Sequence, residues 1–187
     1  WVIHQPDVRD EYYFRNQLVL DLSNPAVQDY VFGVIDGLMT SYPDIAFMKW
    51  DCNSPITNIW SPYLKEKQTH LYVDYVQGLY SVLERIKTKY PDLRMMLCSG
   101  GSGRIDYKAL SYFTEFWASD NTDPIERLFI QYGYSFFYPA KAVCAHVTSW
   151  NSNASIKFRT DVASMGKLGF DIRFSELSTD EQQYIRE

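Results

Sequence analysis

Nowhere does the sequence run to the about eighteen consecutive apolar residues that a membrane-crossing helix needs, so no membrane span is expected. It is also short of positive charge. Lys and Arg number 18 against 23 Asp and Glu, and a formal charge of -5 has the wrong sign for a nucleic-acid partner. Cysteine is scarce and odd in number: Cys52, Cys98 and Cys144 lie too far apart for a zinc knuckle. Each follows or sits in an apolar run, so three buried free thiols are expected. Histidine is equally thin, and His4, His70 and His146 show no metal-ligand spacing. No metal and no cofactor is therefore expected. A phosphate-binding turn is missing too, since Leu22 is followed by Ser-Asn-Pro, and Gly100-Gly101-Ser102-Gly103 lacks the Gly-Lys-Ser/Thr ending. The opening Trp1-Val2-Ile3-His4 carries no initiator Met, signal peptide or basic leader. The chain thus reads as a piece of something longer, with no compartment assigned, cytoplasmic or exported.

What the sequence has in excess is aromatic side chains, 17% of its 187 residues. Rings can stack on sugars, but most should simply fill a core. Hydrophobic residues at 46% and charged residues at 22% are ordinary for a globular chain long enough to bury one. Without an internal repeat, a low-complexity segment or a linker, residues 1–187 are read as one partial domain.

Along the chain, strand and helix patterns alternate. Pro6 to Tyr13 reads as a loop and Leu18 to Leu22 as a first strand. Ser23-Asn24-Pro25 is a helix start, followed by Val27, Tyr30, Val31, Val34 and Leu38 on one apolar face of a helix over about 25–40. Ile45 to Asp51 predicts a buried parallel strand ending in Lys49 and Asp51, which share a face because alternate residues do. Leu71, Tyr75, Leu79, Val82, Leu83 and Ile86 define a helix over roughly 67–89, stopped by Pro91. Strands are expected at Leu93 to Cys98, Thr114 to Asp120, Lys141 to Val147 and Leu168 to Ile172. Helices are expected at about 105–112, after Asp123-Pro124 with Ile125, Leu128, Phe129 and Tyr132, at Phe158 to Gly166, and from Leu177. About six strand-helix units with connections too long for hairpins demand a mainly parallel sheet. The fold class is α/β. An incomplete (β/α)8 TIM barrel is preferred to a doubly wound sheet, whose glycine-rich turn is absent.

Four strand ends carry polar groups that would converge at a barrel mouth. They are Arg15 with Asn16, Lys49 with Asp51 and Asn53, Cys98 with its glycines, and Trp117 with Asp120 and Asp123. Two carboxylates on different strand ends, flanked by rings and a cation, suit glycoside hydrolysis: one acid protonates the leaving oxygen and the other attacks or directs water. Lys49 would keep its neighbour ionised, as a nucleophile requires. A Schiff-base lyase using Lys49 and a non-catalytic carbohydrate-binding fragment are the competing readings.

Four stretches, Phe14-Arg-Asn-Gln-Leu-Val-Leu-Asp21, Phe47-Met-Lys-Trp-Asp-Cys-Asn53, Leu97-Cys-Ser-Gly-Gly-Ser-Gly-Arg104 and Trp117-Ala-Ser-Asp-Asn-Thr-Asp-Pro-Ile-Glu-Arg127, together resemble the α-galactosidases of glycoside hydrolase family 36. The resemblance implies a retaining enzyme with a (β/α)8 catalytic barrel, acting by double displacement on terminal α-galactosides of the melibiose and raffinose type. It implies Asp51 as nucleophile and Asp120 as general acid/base, with substrate contacts from Arg15, Lys49, Asn53, Cys98, Gly101 and Trp117. Asp123 competes with Asp120, but it precedes Pro124 and is well placed to cap a helix. α-N-acetylgalactosaminidase or galactosyl-transfer chemistry stays open, as does a homo-oligomeric parent. The family's N-terminal β-sandwich, first barrel strands and C-terminal β-domain have no counterpart in these residues. Cys52 stands where many relatives have Met, and Ser102 where Gly is common.

Overall fold

The computed structural model describes residues 1–8, 10–149 and 153–187. It divides into two compact units, Trp1–Met48 with Cys52–Met95 and Lys49–Asp51 with Met96–Glu187. Residue 9, inside the loop expected from Pro6 to Tyr13, lies outside the described residues.

The first unit is built on two helices. Helix α1 (Pro25–Ser41) begins where Asn24 accepts a hydrogen bond from the Ala26 amide at 3.0 Å, with Pro25 in the first turn. Its buried stripe is Val27, Ile35 and Met39, with Val31 partly covered. Tyr30, Val34 and Leu38, expected on the same buried face, are exposed. The apolar arc of α1 is wider than the core that covers it. Helix α2 (Leu71–Lys89) matches its expected face closely, burying Leu71, Tyr75, Val82, Leu83 and Ile86. Gly78 lets α2 press against the chain before α1, because a Cβ there would sit 1.8 Å from the Leu22 carbonyl oxygen.

Leu18 to Leu22 is not a sheet strand. Leu20 forms only an isolated antiparallel bridge with Val2, and its neighbours pair with Trp1 and Ile3. The segment is held instead by Asp21, which is 1% exposed and accepts from Ser23 Oγ and Ser61 Oγ at 2.5 Å each. With its backbone groups satisfied by the first three residues, it needs no place in the sheet.

Among the described residues the sheet therefore has five strands, not about six: β1 (Phe47–Asp51), β2 (Arg94–Cys98), β3 (Glu115–Trp117), β4 (Val143–Thr148) and β5 (Lys167–Asp171), in that spatial order. The pairs β2–β3, β3–β4 and β4–β5 are parallel. Sequential order without a reversal leaves no switch point, which argues against the doubly wound alternative. The expected burial of β1 is corrected: as an edge strand it alternates exposed and half-buried residues, whereas β3 is buried throughout. Strand β3 is also shorter than expected. Beyond Trp117 the carbonyl of Ala118 accepts from the Ser102 hydroxyl, and that of Ser119 from Arg127. Side chains thus take the acceptors that a neighbouring strand would use, and Asp120 lies on a loop past the strand end.

In the second unit, helix α3 (Pro124–Ser135) forms where Asp123-Pro124 predicted a helix, but most of its apolar positions lie on the exposed side. Ile125, Phe129 and Tyr132 face outward, and the buried positions are Pro124, Arg127 and Gln131. The inner side is polar because it serves carbonyls: Arg127 reaches Ser119 and Cys144, and Gln131 Nε2 donates to Val162 at 2.9 Å. Between 105 and 112 there is only a short 3-10 turn, Ala109–Ser111, rather than a helix. Helix α4 (Ile156–Ser164) covers Ala145 and Val147 of β4, and α5 (Thr179–Arg186) opens with a Ser178–Glu181 capping box.

Candidate active site

Six of the eight residues singled out in the sequence, Lys49, Asp51, Cys98, Gly101, Trp117 and Asp120, fall in the second unit. Arg15 and Asn53 belong to the first. There Arg15 occupies a tight exposed turn at φ 56°, and Asn53 is half-buried just past β1.

The site grows from the parallel register. Phe116 pairs with Leu97 on one side and with Val143 on the other, and Trp117 pairs with Cys144. One step along these strands, Met96, Cys98, Trp117 and Cys144 close into a single buried cluster. That face therefore carries a thiol, an indole and a second thiol side by side, Cys98 and Trp117 at the carboxyl ends of β2 and β3 and Cys144 near the start of β4. Burial pushes the Cys144 thiol up to about 11, against the pull of Arg127 and Lys49. Burial likewise raises Cys98. Lys49 and a backbone hydrogen bond from Gly101 draw it down, while Asp51 and Asp120 push it further up. Cys98 thus feels both candidate carboxylates and the candidate cation at once. The expectation of three buried thiols is corrected for Cys52, which is half-buried and has interaction partners.

Around Trp117 the polar groups are specific. Its indole Nε1 donates to Asp120 Oδ1 at 2.9 Å. Lys49 Nζ lies 5.4 Å and the Arg127 guanidinium 5.2 Å from the ring centroid, both within cation–π range. Lys49, Asp51 and Asp120 are exposed, whereas Trp117, which Lys49 and Asp120 contact, is buried. The exposed Lys49 and Asp120 beside this ring offer a donor and an acceptor to a sugar's hydroxyls.

The glycine turn after β2 is shaped for close approach. Gly101 has φ 86°, and a Cβ there would lie 3.2 Å from the Ser119 Cα and 3.3 Å from the Ala118 carbonyl oxygen. The turn closes on itself through the Ser99 amide donating to Gly101 O at 2.8 Å. It is fastened to the β3 end by Ser102, whose hydroxyl bonds Tyr134 as well as Ala118.

Asp123, the rival of Asp120, is a helix cap. Its Oδ1 accepts from the Ile125 amide at 2.8 Å and the Glu126 amide at 3.2 Å. Its carboxylate is committed to the start of α3, which favours Asp120 as the acid available for chemistry.

Three groups next to the site were missed in the sequence. Arg127 is 2% exposed and bridges the Ser119 carbonyl on the loop after β3 and the Cys144 carbonyl near the start of β4. His146 stands edge-on to Trp117, with ring centroids 4.8 Å apart, and its Nδ1 meets Asp171 Oδ2 at 2.8 Å. Arg127 closes the fourth motif stretch without a role assigned to it, and no local motif marks His146 or Asp171. Their one sequence signal is a His on a strand read as otherwise apolar. Among the described residues no cluster of three or more His, Cys, Asp or Glu could hold a metal.

The Melibiase family model matches residues 1–187. The chain belongs to the Melibiase family. Its relatives include the α-galactosidase AgaA of Geobacillus stearothermophilus, 39% identical over 193 residues and covering 100% of this chain. Another is α-galactosidase 1 of Pediococcus pentosaceus, 40% identical over 178 residues and 92% of the chain. This Melibiase chain spans 26% of the first and 24% of the second, about a quarter of each. Solved structures agree on the fold. The crystal structure of AgaA, a glycoside hydrolase family 36 α-galactosidase, superposes with a TM-score of 0.93 at 39% identity, covering 100% of this chain and 26% of that one. The galactosidase domain of the α-galactosidase–sucrose kinase AgaSK gives 0.87 at 37% identity, covering 100% and 25%. A variant of AgaA was solved in complex with raffinose.

Proposed function

We propose that this chain carries the reacting carboxylates of a retaining α-galactosidase that cleaves terminal non-reducing α-galactosides of the melibiose and raffinose type. Its sheet is then a segment of a (β/α)8 barrel, with the chemistry at the carboxyl ends of the strands. The observation that carries the reading is the Trp117–Asp120 hydrogen bond, with Lys49 Nζ set against the same indole. The curated relatives named α-galactosidases support the substrate class.

In the reaction, an Asp51 carboxylate oxygen attacks the anomeric carbon while Asp120 gives its proton to the departing glycosidic oxygen. This leaves a galactosyl ester on Asp51. Asp120, now ionised, takes a proton from water as that water attacks the same carbon and frees Asp51. Two inversions give net retention. An indole N–H only donates, so Trp117 commits Asp120 Oδ1 as an acceptor and favours Oδ2 as the oxygen that carries the transferable proton. Lys49 places a cation against the Trp117 ring on the same side of the site.

The test is chemical rescue in the full-length protein. Asp51→Ala should abolish turnover of p-nitrophenyl α-galactoside, and added azide should restore it with a β-galactosyl azide as product. Asp120→Ala should spare kcat/KM for substrates with good leaving groups, which need little protonation, and give an α-galactosyl azide. Full activity in Asp51→Ala would end the proposal.

A further inference from the structure

Beyond the reacting carboxylates, we propose that His146 is a positioning residue for the acid/base: held by Asp171 and seated on Gly169, it fixes the Trp117 indole that orients Asp120. The inference rests on the assignment of Asp120 made above and extends it to side chains two strands away.

His146 is constrained from three directions. Its Nδ1 meets Asp171 Oδ2 at 2.8 Å. Beneath it, β5 pairs in register with His146 opposite Gly169. The absent side chain of Gly169 is what gives the ring room, since a Cβ there would lie 2.4 Å from His146 Nε2 and 2.5 Å from Cδ2. The imidazole edge then packs on the Trp117 indole at 4.8 Å, with the planes inclined by 74°. A Cβ so close to a ring cannot be accommodated without moving that ring, so Gly169 provides the room in which Asp171 holds the imidazole.

Trp117 is therefore flanked by two groups that are themselves tied down. Arg127 is bound to the carbonyls of Ser119 and Cys144, and His146 to Asp171. An indole held in this way has its N–H aimed, and the aim ends on Asp120 Oδ1 at 2.9 Å. The chain of contacts runs Asp171, His146, Trp117, Asp120, every member in one compact unit. Hydrophobic filling alone would not call for a histidine here, nor for a carboxylate on the next strand that is 63% exposed and aligned with its Nδ1.

The assay separates this role from simple packing. In the full-length protein, kcat/KM is measured on raffinose, whose leaving group needs the proton, and on 2,4-dinitrophenyl α-galactoside, whose leaving group does not. His146→Ala should lower the first by about 10- to 100-fold, the scale expected of a misplaced catalytic group, and leave the second within about threefold. Gly169→Ala, which displaces the ring without altering it, should reproduce that selectivity. Asp171→Ala, an exposed change that spares the fold, should show it in weaker form, and His146→Gln should recover part of the loss by donating to Asp171. Equal losses on both substrates, or none on either, would overturn the role. Asp120→Ala is the control. If it shows leaving-group selectivity and the His146 and Gly169 variants do not, only the positioning role fails. If Asp120→Ala lacks that selectivity, the acid/base reading itself fails and the role of His146 falls with it.

Discussion

Replacing Trp117 by Phe isolates one bond. The ring stays, so the contacts with Lys49, Arg127 and His146 are largely kept, but the N–H that meets Asp120 Oδ1 at 2.9 Å is gone. A hydrogen bond to a charged group is worth about 1.5–3 kcal/mol, which corresponds to about 10- to 150-fold in rate if it is realised fully in the transition state. Because Trp117 is 7% exposed, the smaller ring also leaves a void costing about 1–3 kcal/mol of stability, which unfolding curves report separately. The catalytic share should appear as a drop in kcat/KM on raffinose within that range, with 2,4-dinitrophenyl α-galactoside nearly unaffected. Trp117→Phe combined with Asp120→Asn should be no slower than Asp120→Asn alone, since the two changes remove the same interaction. Additive losses in the double variant, or equal losses on both substrates, would refute the idea that the indole acts through Asp120.

Asp123→Ala should lower stability by about 0.5–2 kcal/mol through loss of the α3 cap, while the ratio of kcat/KM on activated and unactivated galactosides stays unchanged; a leaving-group signature there would reassign the acid/base. Gly78→Ala sets two effects against each other. Helix propensity alone gains about 1 kcal/mol, whereas forcing a Cβ to 1.8 Å from the Leu22 carbonyl should cost about 1–3 kcal/mol, so a urea midpoint above that of the wild type would contradict the packing of α2. The Cys144 thiol, raised by burial from its ordinary value of 9.0 to about 11, keeps its proton longer folded than unfolded. Its contribution to stability is complete below pH about 9 and declines as pH rises toward about 11, because the unfolded chain releases the proton first. Cys144→Ala should flatten that part of the denaturant-midpoint profile, and identical profiles for the two proteins would count against the burial of the thiol.

The helices of the first unit were legible because their signals are local. Asn24 followed by Pro25 marks a start whatever lies beyond, and the repeat from Leu71 to Ile86 matches the buried face of α2 residue for residue apart from Gly78 and the partly covered Leu79. For α3 the start at Asp123-Pro124 was legible, but its apolar positions do not mark the covered face. Its apolar side is exposed and its polar side buried, because Arg127 donates to the Ser119 and Cys144 carbonyls and Gln131 to the Val162 carbonyl of α4. Leu18 to Leu22 has the composition of a strand, yet pairing with Trp1 and Ile3 and the buried Asp21 knot took it out of the sheet. Within the site, the short motifs already pointed to Lys49, Asp51, Cys98, Gly101, Trp117 and Asp120. His146, Gly169 and Asp171 carry no motif at all.

The difference is one of range. Residue order alone determined the strand-helix alternation, the caps, the sign of the charge and the motif resemblance, since each of these depends on neighbours a few positions away. Which face of a helix is covered, where a strand stops, and which imidazole stands against which indole depend on the register of parallel strands separated by whole helices. That register is decided only when Trp117, Cys144 and Lys167 come abreast in the folded sheet.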